Sequence, residues 1–360
     1  MIKNSIFPIF AFCLLFLTAC AAPATMSPQS TSLEIRQEAL HEKELAYKKI
    51  ITDQDRIFNI SFPLMAANAG FCGGRTAPAF GLTAWNRASV NPDYSQAVAT
   101  LYNLHARLAV QHVADKSPAA KAGIHSGDFI VAISGRSLPH GQPARKTAYE
   151  LLHLAGYNPV DILLERKGKP IKAVVRPVKV CDYPVQLDYS NNDINAFTDG
   201  KRIVVSKGIV RFAENDAELA LVIAHELSHN AMGHIDKRMQ NTMTGVIAGL
   251  AIDSLLTAAG VNSGGEFSKA GEDIGSQSYS VEFEQEADYV GMYFMERAGY
   301  STKGVADFWR REASEMPGSV STRSSHPTTP ERFLAIERTH REIAAKKDRD
   351  EELVPNLKPE

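Results

Sequence analysis

Two histidines stand four residues apart in His225-Glu226-Leu227-Ser228-His229, with a glutamate beside the first. On a helix this spacing puts both imidazoles on one face, one turn apart, where they can grip a single metal ion. Glu226 is then within reach of a water bound to the same ion. A pattern with three fixed positions also occurs by chance, so its surroundings decide. Leu219-Ala220-Leu221-Val222-Ile223-Ala224 is apolar on every side, which marks a helix running through a core. Asn215 suits its N-cap, Glu218 stands three positions on, and Gly233 suits its stop. Two histidines and a glutamate on one stripe of such a helix are costly to bury without a shared purpose. One zinc ion is the simplest purpose that serves all three.

A third ligand has to come from elsewhere. The metzincin register requires Gly at 232 and His at 235, but Met232 and Ile235 stand there, and His234 reads as a helix-end histidine. Residues 280–298 form a second helical pattern with Phe283, Ala287, Val290 and Phe294 on its buried stripe. Glu284 and Asp288 lie one turn apart beside that stripe, and Glu282 and Glu286 form a neighbouring pair. Further on come His326-Pro327 and, five residues after the proline, Arg332.

HExxH, then Glu284-Gln285-Glu286-Ala287-Asp288 as an ExxAD motif, then His-Pro with a following Arg, resembles the HtpX-like and CAAX-prenyl-endopeptidase-like gluzincins over residues 195–343. The resemblance implies a zinc metallopeptidase with one Zn2+ per chain. In it, Glu284 completes a ligand set with His225 and His229, and Asp288 holds a ligand histidine in the right tautomer. His326 lies near the metal and Arg332 shapes the cleft. Three protein ligands leave one position for water, and Glu226 acts as general base. His326 either stabilises the oxyanion or fills the open position and switches the enzyme off. A plain loop histidine ahead of a helix starting at Pro330 also accounts for it.

The elements that must position these residues are spread along 360 residues, enough for two domains. A hydrophobic content of 44% with 22% charged residues is that of a globular chain, and a net charge of −2 gives no pull toward nucleic acid. Residues 1–19 read as a signal peptide: Lys3, a short apolar run, then Leu17-Thr18-Ala19-Cys20, which resembles a bacterial lipobox. That resemblance implies lipidation at Cys20, with Ala21 directing the chain to the outer membrane, facing the periplasm. Residues 20–58 read as a tether and N-terminal helix, and 59–103 as an irregular joining segment. Cys72 and Cys181 are the cysteines left in the mature chain, and an oxidising compartment makes them a disulfide candidate.

Residues 104–180 alternate like strands around Ser117-Pro118-Ala119-Ala120-Lys121-Ala122-Gly123-Ile124 and Ser126-Gly127-Asp128. This resembles bacterial PDZ domains, which add an extended peptide as a strand beside a groove. The glycine loop that such domains use for a C-terminal carboxylate is expected before Leu108, and Asn103-Leu104-His105-Ala106-Arg107 contains none. Residues 183–345 form the remaining unit. Within it, 195–206 reads as a hairpin, serving either as a cleft edge or as plain structure. Residues 242–261 read as a buried helix, and 346–360 as a disordered tail.

The expected fold class is α+β: a mainly helical zincin-like metallopeptidase domain with a small β-hairpin or sheet, plus a PDZ domain. The expected function is a zinc endopeptidase of the cell envelope acting on unfolded or extended polypeptides. Its only membrane contact is the N-terminal lipid, it binds no nucleic acid, and its PDZ domain takes a substrate or an envelope protein partner. A PDZ-bearing chaperone with a latent or structural zinc site is the competing expectation.

Overall fold

The computed structural model describes residues 25, 27–258, 263–264, 266–269, 281–315 and 330–358. The signal segment, Cys20 and His326 lie outside the described residues. Residues 1–42 and 43–360 form two compact units. In the first, helix α1 (Ser32–Ala67) begins at a reciprocal cap, with Glu34 N donating to Thr31 Oγ1 at 3.2 Å and Thr31 N donating to Glu34 Oε2 at 2.7 Å. From Lys43 onward the same helix belongs to the second unit.

The sequence places the end of this helix near residue 58, but it runs on through Pro63. An interior proline costs about 3 kcal/mol, and burying one Leu, Ile or Met side chain returns about 1.5–3 kcal/mol. Ile57, Ile60, Leu64 and Met65 are all buried, which outweighs the proline.

After α1 come strands β1 (Thr76–Ala79) and β2 (Leu82–Trp85), helix α2 (Ser95–Tyr102), strand β3 (Ala109–Val113), a helical turn α3 (Pro118–Lys121), strands β4 (Phe129–Ile133) and β5 (Arg136–Ser137), helix α4 (Pro143–Ala155), and the hairpin β6 (Val160–Arg166) and β7 (Lys169–Val175). Six of these strands form one sheet in the order β2-β3-β4-β6-β7, with β5 on β4. Val110, Ile130, Ile133, Ile162 and Leu164 bury one face of it against Ala144 and Ala148 of α4. The sheet therefore starts at Leu82 and not after residue 104. Four residues make a weak strand signal, and 23 residues separate β2 from β3, which is why 59–103 looks irregular in the sequence.

Strand β8 (Val178–Cys181) pairs antiparallel with β1, and Cys72 is joined by a disulfide to Cys181. The bond closes a separation of 109 residues, so removing it frees a long loop in the unfolded chain. The double substitution Cys72→Ala, Cys181→Ala is expected to lower stability by about 2–4 kcal/mol. Urea unfolding with and without reductant reads this; identical midpoints for the oxidised and substituted proteins refute it.

Strands β9 (Val185–Asp188), β10 (Ala196–Thr198) and β11 (Ile203–Ser206) form a second sheet in which β11 pairs parallel with β9 and antiparallel with β10. Helices α5 (Lys207–Phe212), α6 (Asp216–Ala231) and α7 (His234–Ala258) follow, and then α8 (Val281–Arg297), α9 (Ala306–Glu315) and α10 (Pro330–Asp348). The apolar run of α6 is covered by α1, by β11 and by α8 through Met292 and Phe294. Helix α7 departs from the sequence reading. Met239, Met243, Ile247 and Leu250 are exposed, so it is not a buried helix among the described residues. No described helix is long and apolar enough to cross a membrane.

The expected disordered tail is also ordered as far as it is described. Helix α10 continues to Asp348, and buried Lys346 donates to Val354 O at 2.6 Å and Asn356 Oδ1 at 2.8 Å. Asn356 N in turn donates to Tyr289 Oη at 2.9 Å, which returns the tail to α8.

The first sheet is joined to α1 by polar contacts. His112 Nδ1 lies 3.0 Å from Asp55 Oδ1, and Asp115 N donates to Asn59 Oδ1 at 2.9 Å. Burial of His112 holds its pKa below the ordinary histidine value, with Asp55 opposing but not cancelling the effect. The folded state thus binds this proton less readily than the unfolded state. Stability from this group is full above about pH 6.5 and falls as pH drops through the lowered pKa. His112→Gln is expected to flatten that limb of the pH–stability curve, measured by thermal melts between neutral and acidic pH. An unchanged limb counts against the assignment.

Candidate metal centre

Helix α6 starts where the sequence asks it to, with Glu218 N donating to Asn215 Oδ1 at 3.1 Å. It ends at Gly233, whose φ of +67° suits glycine and reverses the chain. Helix α8 crosses α6 at close range. A Cβ on Gly291 would meet the backbone N of His225 at 3.2 Å, so a bare glycine there lets the two helices approach.

That approach brings three side chains to one point. His225 Nε2 and His229 Nε2 are 3.1 Å apart, and Glu284 places Oε2 3.3 Å from the first and Oε1 3.3 Å from the second. All three are buried. Bonds of about 2.0–2.1 Å to a tetrahedral zinc ion separate neighbouring donors by about 3.3–3.4 Å. The two histidine nitrogens stand 3.1 Å apart, close to that separation, and Glu284 reaches each of them at 3.3 Å through a different carboxylate oxygen. Two imidazole nitrogens and a carboxylate oxygen are also the donor types zinc takes, so the residues fit that ion.

What lies behind the donors fixes their orientation. His225 Nδ1 lies 2.9 Å from Asp288 Oδ1, which holds a proton on Nδ1 and makes Nε2 the nitrogen that a metal ion would take. Asp288 is gripped by Arg332 through two bonds, Nε to Oδ2 at 2.7 Å and a terminal nitrogen to Oδ1 at 2.8 Å. The other terminal nitrogen of Arg332 is 3.1 Å from Glu284 Oε2, and its guanidinium carbon lies 5.4 Å from the Trp309 ring centroid. Arg332 is 1% exposed, so one buried cation serves two buried anions. The electrostatics follow. Burial alone would raise the Asp288 pKa, but Arg332 overrides it and holds the carboxyl below its usual range. Burial opposes charge on His225, yet Glu284 and Asp288 together push it up to about 10 in the metal-free protein.

Behind His229 stands a residue that the sequence reading set aside. His234 is not merely a helix-end histidine: its Nδ1 is 3.0 Å from His229 Nδ1, and its Nε2 is 2.7 Å from Glu286 Oε2. A visible signal exists in the fifth position after His229, but helical periodicity gives it no meaning until Gly233 turns the chain. Glu226 is 2% exposed on α6, next to His225. Strand β10 is an edge strand of its sheet, and the Thr198 hydroxyl joins it to the Asn230 side-chain amide of α6 at 2.7 Å. His326 and Cys20 lie outside the described residues, so the structure places Arg332 but not His326 beside the triangle.

A buried His-His-Glu group on two crossing helices, one of them carrying HExxH, is a donor set that could hold one metal ion. Residues 166–340 match Peptidase family M48, and the chain carries an M48 domain. It is homologous to the beta-barrel assembly-enhancing protease of Yersinia pestis, with 30% identity over 35% of this chain and 27% of that one. The mitochondrial metalloendopeptidase OMA1 of Schizosaccharomyces pombe is 27% identical over 54% of this chain and 57% of its own length. Among solved structures, the HtrA3 PDZ domain bound to a phage-derived ligand is similar over 29% of this chain, with 21% identity and a TM-score of 0.23. The matches span 27% to 38% of the beta-barrel assembly-enhancing proteases.

Proposed function

We propose that this chain is a zinc-dependent endopeptidase of the cell envelope that cuts unfolded or extended polypeptides. The observation that carries the reading is the donor triangle of His225, His229 and Glu284, backed on the His225 side by Asp288 and Arg332. Zinc held there supplies a Lewis acid that polarises a carbonyl and makes water easier to deprotonate. Glu226 takes the proton from the attacking water and passes it to the leaving amine. Asp288 keeps His225 in the tautomer that offers Nε2. Edge strand β10, tied to α6 through Asn230, gives an extended substrate a strand to pair with. His326 either stabilises the oxyanion or blocks the open position.

The six-stranded sheet with α4 is read as a PDZ domain. A groove of about 460 Å3 lies beside Leu82 and Thr83 of β2, Tyr149 and Leu152 of α4, and Phe58 and Phe62 of α1. A glycine, Gly81, stands just ahead of the edge strand β2. Its φ is +75°, and an added Cβ would lie 2.2 Å from Ser117 Cβ, so no larger residue fits. Gly81 then serves the capture of a peptide C-terminus beside Phe80-Gly81-Leu82. Lipidation at Cys20, outer-membrane placement facing the periplasm, and an envelope protein partner at this groove belong to the same proposal. Similarity to the beta-barrel assembly-enhancing proteases supports the envelope setting.

Metal removal tests the function. Dialysis against 1,10-phenanthroline is expected to abolish cleavage of unfolded casein, and one equivalent of Zn2+ per chain is expected to restore it. Cleavage that survives complete metal removal rejects the reading. A zinc-loaded chain inert on every unfolded substrate favours the chaperone alternative.

A further inference from the structure

We propose that His234 and Glu286 form a positioning chain for the metal ligand His229, on the opposite side from the Asp288–Arg332 pair behind His225. The proposal rests on the metal reading above and adds two residues to it.

A neutral imidazole has one N–H and one lone pair, so His229 offers Nε2 to a metal only when Nδ1 carries the proton. That proton needs an acceptor, and His229 is fully buried. His234 Nδ1 is the atom at 3.0 Å. Accepting there puts the His234 proton on Nε2, and Glu286 Oε2 receives it at 2.7 Å. An ionised carboxylate only accepts, so Glu286 sets the direction of both hydrogen bonds. With the polarity reversed, His229 would carry its proton on Nε2, aimed at His225 Nε2 and Glu284, where a metal ligand needs a lone pair.

The fold builds this arrangement deliberately. In an uninterrupted helix, position 234 would lie about 140° around the axis from 229 and could not fold back on it. The left-handed Gly233 ends α6 and brings His234 under His229 at the first residue of α7. Phe283 of α8 stacks on the His234 ring, with centroids 4.6 Å apart and planes 20° apart. His234 is fully buried, whereas the Glu286 side chain is 42% exposed, so the chain runs from the surface to the metal ligand.

The test measures zinc affinity of the full chain by competition with a chromophoric chelator, so it does not depend on turnover. His234→Leu removes the acceptor and is expected to weaken zinc binding about 10–100-fold. His234→Gln offers a carbonyl oxygen in its place and is expected to recover most of that loss. Glu286→Ala alters a half-exposed side chain, leaves the core packing alone, and is expected to weaken zinc binding about tenfold. Nitrogen-15 histidine spectra of the zinc-loaded wild type are expected to show His229 protonated at Nδ1 and protected from exchange, with protection lost in Glu286→Ala. Unchanged affinity in Glu286→Ala, or His229 protonated at Nε2, overturns the proposal. A wild-type chain that takes up no zinc rejects the metal reading itself, and the proposal falls with it.

Discussion

Glu226→Gln is expected to lower kcat on an unfolded protein substrate about a hundred- to ten-thousand-fold, with KM nearly unchanged and zinc still bound at one ion per chain. Glutamine keeps the volume and packing of a side chain that is 2% exposed, while losing the carboxylate that accepts a proton. His225, His229 and Glu284 are untouched by the change, so metal content and melting temperature serve as internal controls. Retained turnover in a zinc-loaded Glu226→Gln protein would remove Glu226 from the mechanism. A loss of zinc alongside activity would assign it a structural role instead.

The largest effect on stability belongs to Arg332. Its guanidinium holds Asp288 by two bonds and approaches Glu284 at 3.1 Å, all within a site sealed from solvent. Arg332→Met keeps the apolar bulk beside Trp309 and strands two buried carboxylates without their cation. Breaking a buried ion pair from one side costs about 3–5 kcal/mol. Urea unfolding of the metal-free protein is expected to show that loss, and bound zinc is expected to reduce it, because the ion compensates Glu284. Adding Asp288→Asn removes one stranded charge and is expected to recover part of the loss; the double-substitution cycle measures how much. A metal-free loss under about 1 kcal/mol would mean that the network is worth little net free energy.

The helix carrying His225 and His229 was legible because its determinants are local: a cap at Asn215, an all-round apolar run, and a glycine stop. Helix α8 was legible for a similar reason, since its buried stripe and its acidic residues share one period. His234 was not, because its role depends on a reversal at Gly233 rather than on helical spacing. Strand β2 is hidden in the sequence because it is four residues long and 23 residues separate it from the strand it pairs with. The exposed course of α7 could not be read from composition, as a helix rich in Ala, Ile and Leu carries no mark of what lies beside it. The ordered tail depends on Lys346 meeting carbonyl and amide oxygens further along the chain, a contact that no local charge pattern reveals.

The disulfide between Cys72 and Cys181 has a consequence for how this chain is assembled from parts. Its two Cα atoms are 5.6 Å apart, and strands β1 and β8 run side by side from it. Everything between them leaves and re-enters at a single doorway. A chain lacking that stretch would have only 5.6 Å to bridge, a gap that a turn of a few residues closes. The stretch that carries the six-stranded sheet can therefore change in length without moving the points where the chain leaves and re-enters the helical part. The covalent hinge makes that sheet an outgrowth with a single root beside the helices that carry His225, His229 and Glu284.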